Sequence, residues 1–152
     1  MEFSEITKRY WEEKDWQDLE KAESISDLYK IAEKIIDRME KPLMQVCGPI
    51  ATGGLGSIEA NLNIFNKTII QLQEKKLNIF DQTPFEKPMR KLKEKLAPDG
   101  YLESILTDFY MPILKSGMVS SLFFLPNWES SYGAKWEHEK AKEFGLEIIY
   151  LK

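Results

Sequence analysis

Glutamate 137 interrupts an otherwise small and apolar helical stripe. Ala134, Glu137, Ala141 and Phe144 are spaced by three, four and three residues, so they share one helix face. A bare carboxylate on the inward side of a helix is expensive to bury, so it needs a partner, a proton or a function. Two arrangements fit this spacing. Either Glu137 tilts to solvent and pairs with Lys135 or Lys140, or it points inward with a raised, tuned pKa. Just before it stand Ser130 and Ser131. One serine is explained as an N-cap, and adjacent hydroxyls at a helix start also suit an anion.

A second stretch carries backbone chemistry. Cys47-Gly-Pro-Ile-Ala-Thr-Gly-Gly-Leu-Gly56 follows an apolar run and opens into a helix. It is no Walker loop, because no Gly-Lys-Ser/Thr follows, and Glu59 stands where a dinucleotide fingerprint needs its third glycine. Gly48, Pro49, Ile50, Gly53 and Gly54 are candidate ligand contacts of this turn. Asp81 and Asp108 are candidates for a second carboxylate in the same crevice, and each also reads as a cap or surface charge. Trp128 is a candidate for stacking a base or packing in the core. His138 is the only histidine, and its neighbours Glu137 and Glu139 lack metal-ligand spacing, so no metal and no cofactor are expected.

These residues need a scaffold that brings two strand-to-helix turns side by side. Leu43 to Cys47 reads as a first strand, Leu77 to Phe80 as a short second, Val119 to Leu125 as a third and Leu146 to Leu151 as a last. The run Leu122-Phe-Phe-Leu125 is apolar throughout, as in a strand covered on both faces. Helical stripes alternate with the strands: Ile25 to Met39, Ile58 to Leu72, Met89 to Leu96, Leu102 to Phe109, and the helix of Glu137. Pro112 must kink or restart the fourth of these. Alternation of this kind predicts an α/β fold with a parallel sheet between helices, binding its ligand at the carboxyl edge. Residues 1–41 read as an N-terminal helical extension packed on the body, and 42–152 as the α/β domain.

Composition narrows the partners. The chain has 152 residues, 43% hydrophobic and 30% charged, with a net charge of −4. That balance does not favour nucleic acid. The cluster Arg90, Lys91, Lys93 and Lys95 reads as a solvated helix face. No apolar run approaches the ~20 residues of a membrane span, so no membrane is expected. With one cysteine, Cys47, no internal disulfide forms, and the expected location is the cytoplasm.

The motif Cys-Gly-Pro-Ile-(x)2-Gly-Gly after the first strand, and Leu-Pro-x-Trp-Glu-x-Ser-x-Gly-Ala-x-x-Glu after a later one, resemble the nucleoside 2-deoxyribosyltransferase superfamily, in its branch of small uncharacterised domains. The resemblance covers roughly residues 43–151. It implies a flavodoxin-like or Rossmann-like three-layer sandwich with four to five parallel strands. It also implies cleavage or transfer at the N-glycosidic bond of a nucleoside or nucleoside 5′-monophosphate. The glutamate of Gly133-Ala-Lys-Trp-Glu137 matches the nucleophile position, Ser131 a phosphate-binding serine, and Asp108 is the nearest match to a substrate-orienting aspartate, about a helical turn early. The hydrolase branch carries a Ser and an Arg where Pro49 and Ala51 stand, and a tyrosine where Gln45 stands. The implied assembly is a homodimer or larger. The alternative expectation is a non-catalytic binder of a nucleotide or sugar phosphate.

Overall fold

The computed structural model describes residues 2–152. Three helices come first: α1 (Glu5–Lys8), α2 (Glu13–Lys21) and α3 (Ile25–Arg38). Their starts are capped as their sequences dictate, by Ser4 on Thr7 N (3.1 Å) and Ser24 on Asp27 N (3.1 Å). Glu12 and Asp15 form a reciprocal capping box at the start of α2. Asp15 also ties α2 to α3. Burial pushes its carboxyl up, but hydrogen bonds from Arg38 and Lys34 outweigh this and hold it at about 2.

The body runs β1 (Leu43–Cys47), α4 (Ile58–Glu74), α5 (Glu86–Leu96), a π-helical turn (Ile105–Tyr110) continuing into α6 (Met111–Lys115), β2 (Val119–Phe124), α7 (Tyr132–Phe144) and β3 (Glu147–Tyr150). Pro112 sits in the first turn of α6, where a missing N–H costs nothing, and the widened turn before it absorbs the restart.

The strands form a parallel sheet in the order β1-β2-β3, with Gln45 beside Leu122 and Phe123 beside Ile149. The fold is α/β, and the sheet has three strands rather than the expected four to five. The segment Leu77–Phe80 makes a single parallel bridge, between Met44 and Ile79. Its ladder stops because the chain turns away at Asp81. The next acceptor on β1, the carbonyl of Val46, is taken by the side-chain amide of Gln82 at 2.7 Å instead of by backbone.

Side chains alternate across the sheet. Leu43, Cys47, Leu122 and Phe124 face a core shared with α2, α3, α5, α6 and α7. Val46, Phe123 and Leu125 face Phe65, Ile69 and Leu72 of α4 on the other side. Helices therefore cover both faces. The first three helices are part of the larger core, since Trp11, Leu19, Leu28, Ile31 and Ile35 are buried in it. Thr7 reaches the body directly, donating to Asp81 Oδ2 at 2.8 Å and accepting from Gln73 Nε2 at 3.0 Å. Among the described residues, no helix is long and apolar enough to cross a membrane.

Candidate active site

β1 and β2 end side by side, and the turns that follow them meet. Gly54 N donates to Ser130 Oγ at 2.8 Å, and Tyr132 N donates to Thr52 Oγ1 at 3.0 Å. Asn61, on the first turns of α4, clamps the glycine-rich turn from behind. Its Nδ2 donates to the carbonyls of Ile50 (3.0 Å) and Gly53 (3.1 Å), and its Oδ1 accepts from Leu55 N (2.9 Å). Gly53 is held at φ +71, and a Cβ there would overlap the backbone and hydroxyl of Ser130. Only glycine satisfies both the left-handed backbone and the close approach.

Behind this paired lip lies a cavity of about 410 Å³. That volume falls within the range of small-molecule sites, about 300–1,000 Å³. Glu137, in the second turn of α7, is buried in its wall with 7% of its surface exposed. Its Oε2 accepts from Gln45 Nε2 at 2.9 Å. Glu86, the first residue of α5, is buried in the same cavity at 8% exposed. Tyr101, Tyr110 and Gln82 complete the polar lining of the interior, while Phe65, Met89 and Leu106 supply apolar surface.

The electrostatics follow from that enclosure. Desolvation raises the Glu137 carboxyl to about 8. The neighbouring Cys47 thiol and the Gln45 amide hydrogen bonded to it pull the other way, and the Glu86 charge adds to the rise. Desolvation likewise raises Glu86 to about 7, opposed by Arg90. The Cys47 thiol is pushed well up by burial and by Glu137, so it stays protonated and inert as a nucleophile. Two carboxyl groups buried in one cavity cannot both ionise near neutrality without repulsion. They titrate as a pair.

The structure separates the sequence-derived candidates. Gly48, Ile50, Ser131, Gly133 and Glu137 line the cavity. Ser131 also caps α7, accepting from Ala134 N at 3.2 Å. Pro49, Gly53, Gly54 and Ser130 shape the lip without lining the interior. Three candidates lie elsewhere. Asp108 is exposed on the π-helical turn and accepts from Thr107 Oγ1. Asp81 is buried but engaged by Thr7 and Thr83, its Oδ1 accepting from Thr83 N and Oγ1. Trp128 stacks on His138, ring centroids 4.2 Å apart, and packs on Phe124.

Residues missed by the sequence reading are Glu86, Tyr101, Tyr110, Gln82 and Asn61. Glu86 carries a weak signal: it sits just after Pro84-Phe85 at a helix start, on the side of buried Met89. Arg90, Lys91 and Lys95 are exposed, as a solvated face requires, and Arg90 and Lys93 also reach the rim of the cavity. Among the described residues, no three His, Cys, Asp or Glu side chains gather in a way that could hold a metal ion.

Residues 84–150 match a protein family described as Domain of unknown function (DUF4406). The matched stretch carries Glu86, Tyr101, Tyr110, Ser131 and Glu137, and leaves out β1 and the glycine-rich turn. No curated protein and no solved structure matches the chain.

Proposed function

We propose that this chain is an enzyme that hydrolyses or transfers at the N-glycosidic bond of a nucleoside or nucleoside 5′-monophosphate, with Glu137 as nucleophile. One observation carries the reading: two buried carboxyl groups, Glu137 and Glu86, face the same cavity at the carboxyl edge of a parallel sheet. The motif resemblance around Gly133-Ala-Lys-Trp-Glu137, in a flavodoxin-like arrangement, directs that pair to a sugar–base bond.

The chemistry needs one carboxylate and one carboxylic acid together. Gln45 Nε2 hydrogen bonds to Glu137, which favours its charged form. With Glu137 at about 8 and Glu86 at about 7, the shared proton rests mainly on Glu137, so the reacting form is the less populated arrangement in which Glu86 carries the proton and Glu137 is ionised. Glu137 attacks the anomeric carbon, the C1–N bond breaks, and the base leaves with the proton of Glu86. The product is a sugar ester on Glu137. Glu86, now ionised, takes a proton from water, which attacks C1 and releases Glu137. A second base in place of water gives transfer. The rim offers Ser131, Arg90 and Lys93 to an anionic group on the sugar.

The test is chromatography of a nucleotide and nucleoside pool incubated with the protein beside Glu137→Gln. Free base should accumulate only with the unsubstituted chain. Base release by neither protein, or equally by both, overturns the reading.

A further inference from the structure

Gln82, just beyond the Leu77–Phe80 segment, has one end of its amide occupied by β1. Its side chain is 2% exposed and it lines the cavity. Its Nε2 donates to the carbonyl of Val46 at 2.7 Å. That bond fixes which end of the amide is which, because a backbone carbonyl accepts and only the NH2 end donates. The remaining atom, Oε1, is buried and has no hydrogen-bond partner. A buried acceptor without a donor is costly, and native interiors rarely leave one unless it has work to do. The surroundings cannot turn to satisfy it. Gln45 is committed to Glu137, and Asp81, the preceding residue, is engaged by Thr7 and Thr83.

We infer that Gln82 is a specificity-determining residue of this cavity: its Oε1 accepts a hydrogen bond from a neutral O–H or N–H group of the bound molecule. The inference deepens the glycosidic-bond reading by saying what the substrate must present, and it rests on that reading only for the choice of probes. The donor chemistry has two sources in a nucleotide, a sugar hydroxyl or an amino group of the base. A pocket built around a fixed acceptor discriminates against ligands that bring another acceptor to it, because both groups are then left unpaired. The anchored amide gives that discrimination without any moving part.

The experiment is equilibrium calorimetry at pH 6 with adenine, which brings only N–H donors, and with ribose 5-phosphate, which brings O–H donors and no N–H. Gln82→Leu removes the acceptor. Gln82→Glu, protonated in this cavity at pH 6, offers Val46 the same donor and the ligand the same free oxygen. Gln82→Leu should weaken one of the two probes roughly 3- to 10-fold, the worth of one hydrogen bond, and leave the other unchanged. Gln82→Glu should restore the weakened one. Equal loss for both probes means a structural role and overturns the inference. So does no loss for either, failure of Gln82→Glu to restore binding, or no binding of any probe to the unsubstituted chain. Base release is scored separately. Gln82-dependent binding without turnover removes the glycosidic-bond reading and keeps this one, and turnover indifferent to Gln82 does the reverse.

Discussion

The two glutamates titrate as one unit, which carries predictions for activity and for stability. In the proposed mechanism the productive form has one proton on the pair. Its population peaks between the two ionisations, at about 7 and about 8. A plot of kcat/KM against pH should therefore be bell-shaped with its summit in that interval. Glu86→Gln should lower kcat by about 10²–10⁴-fold and remove the alkaline limb, because the acid whose ionisation sets that limb is gone. A profile unchanged in shape by Glu86→Gln would remove Glu86 from the mechanism. Stability gives an activity-independent check. Both carboxyls have folded pKa values above their unfolded ones, so the folded state holds more protons. Their contribution is fully present below about pH 4.5 and is lost as pH rises through about 7 to 8. Glu137→Gln should raise Tm most above pH 8, by about 2–4 °C for each kcal/mol regained, and hardly at all near pH 5. An equal change in Tm at both pH values would show that the buried charge costs nothing.

The lip of the site depends on two turns from different parts of the chain fitting closely. Gly53 and Gly56 both have left-handed backbone, φ +71 and +85, but only Gly53 touches the opposite turn. Alanine at Gly56 meets open space, so its cost is the backbone penalty alone, about 1–2 kcal/mol. Alanine at Gly53 adds overlap with Ser130 and pushes the turns apart, which also breaks the bond from Gly54 N to Ser130 Oγ. Gly53→Ala should therefore destabilise more than Gly56→Ala in urea melts and weaken ligand binding, whereas Gly56→Ala should leave affinity near that of the unsubstituted chain. Equal effects would mean that the contact between the turns is incidental. Asn61 explains why this turn keeps its shape although most of its residues are exposed: three hydrogen bonds from one buried side chain replace a hydrophobic anchor.

On the scale of the whole chain, residues 1–41 contribute more than an appendage would. Trp11, Leu19, Leu28, Ile31, Ile35 and Met39 are buried in the larger core, and Thr7 bonds to Asp81 beside the single bridge of Ile79. Deleting 1–41 exposes that face of the sheet and leaves Asp81 without Thr7. The deletion should lose cooperative unfolding and near-ultraviolet dichroism while keeping some helix. A truncated chain that melts cooperatively near the original temperature would show that the body folds without those helices.

Periodicity alone determined the alternation of helices and strands, the buried Leu122-Phe-Phe-Leu125 strand and the serine cap of α7, because these are local: apolar spacing selects the element and a hydroxyl caps its first turn. Glu137 was conspicuous for the same reason, as a charge in an apolar stripe. Tertiary structure decided the rest. Leu77–Phe80 has the composition of a strand, but the competition for the Val46 carbonyl, won by the Gln82 side chain, limits it to one bridge. Asp108 and Glu86 are both carboxylates near helix starts, and spacing does not distinguish them. What separates them is long-range packing, which buries Glu86 in the cavity that Glu137 also lines and leaves Asp108 exposed.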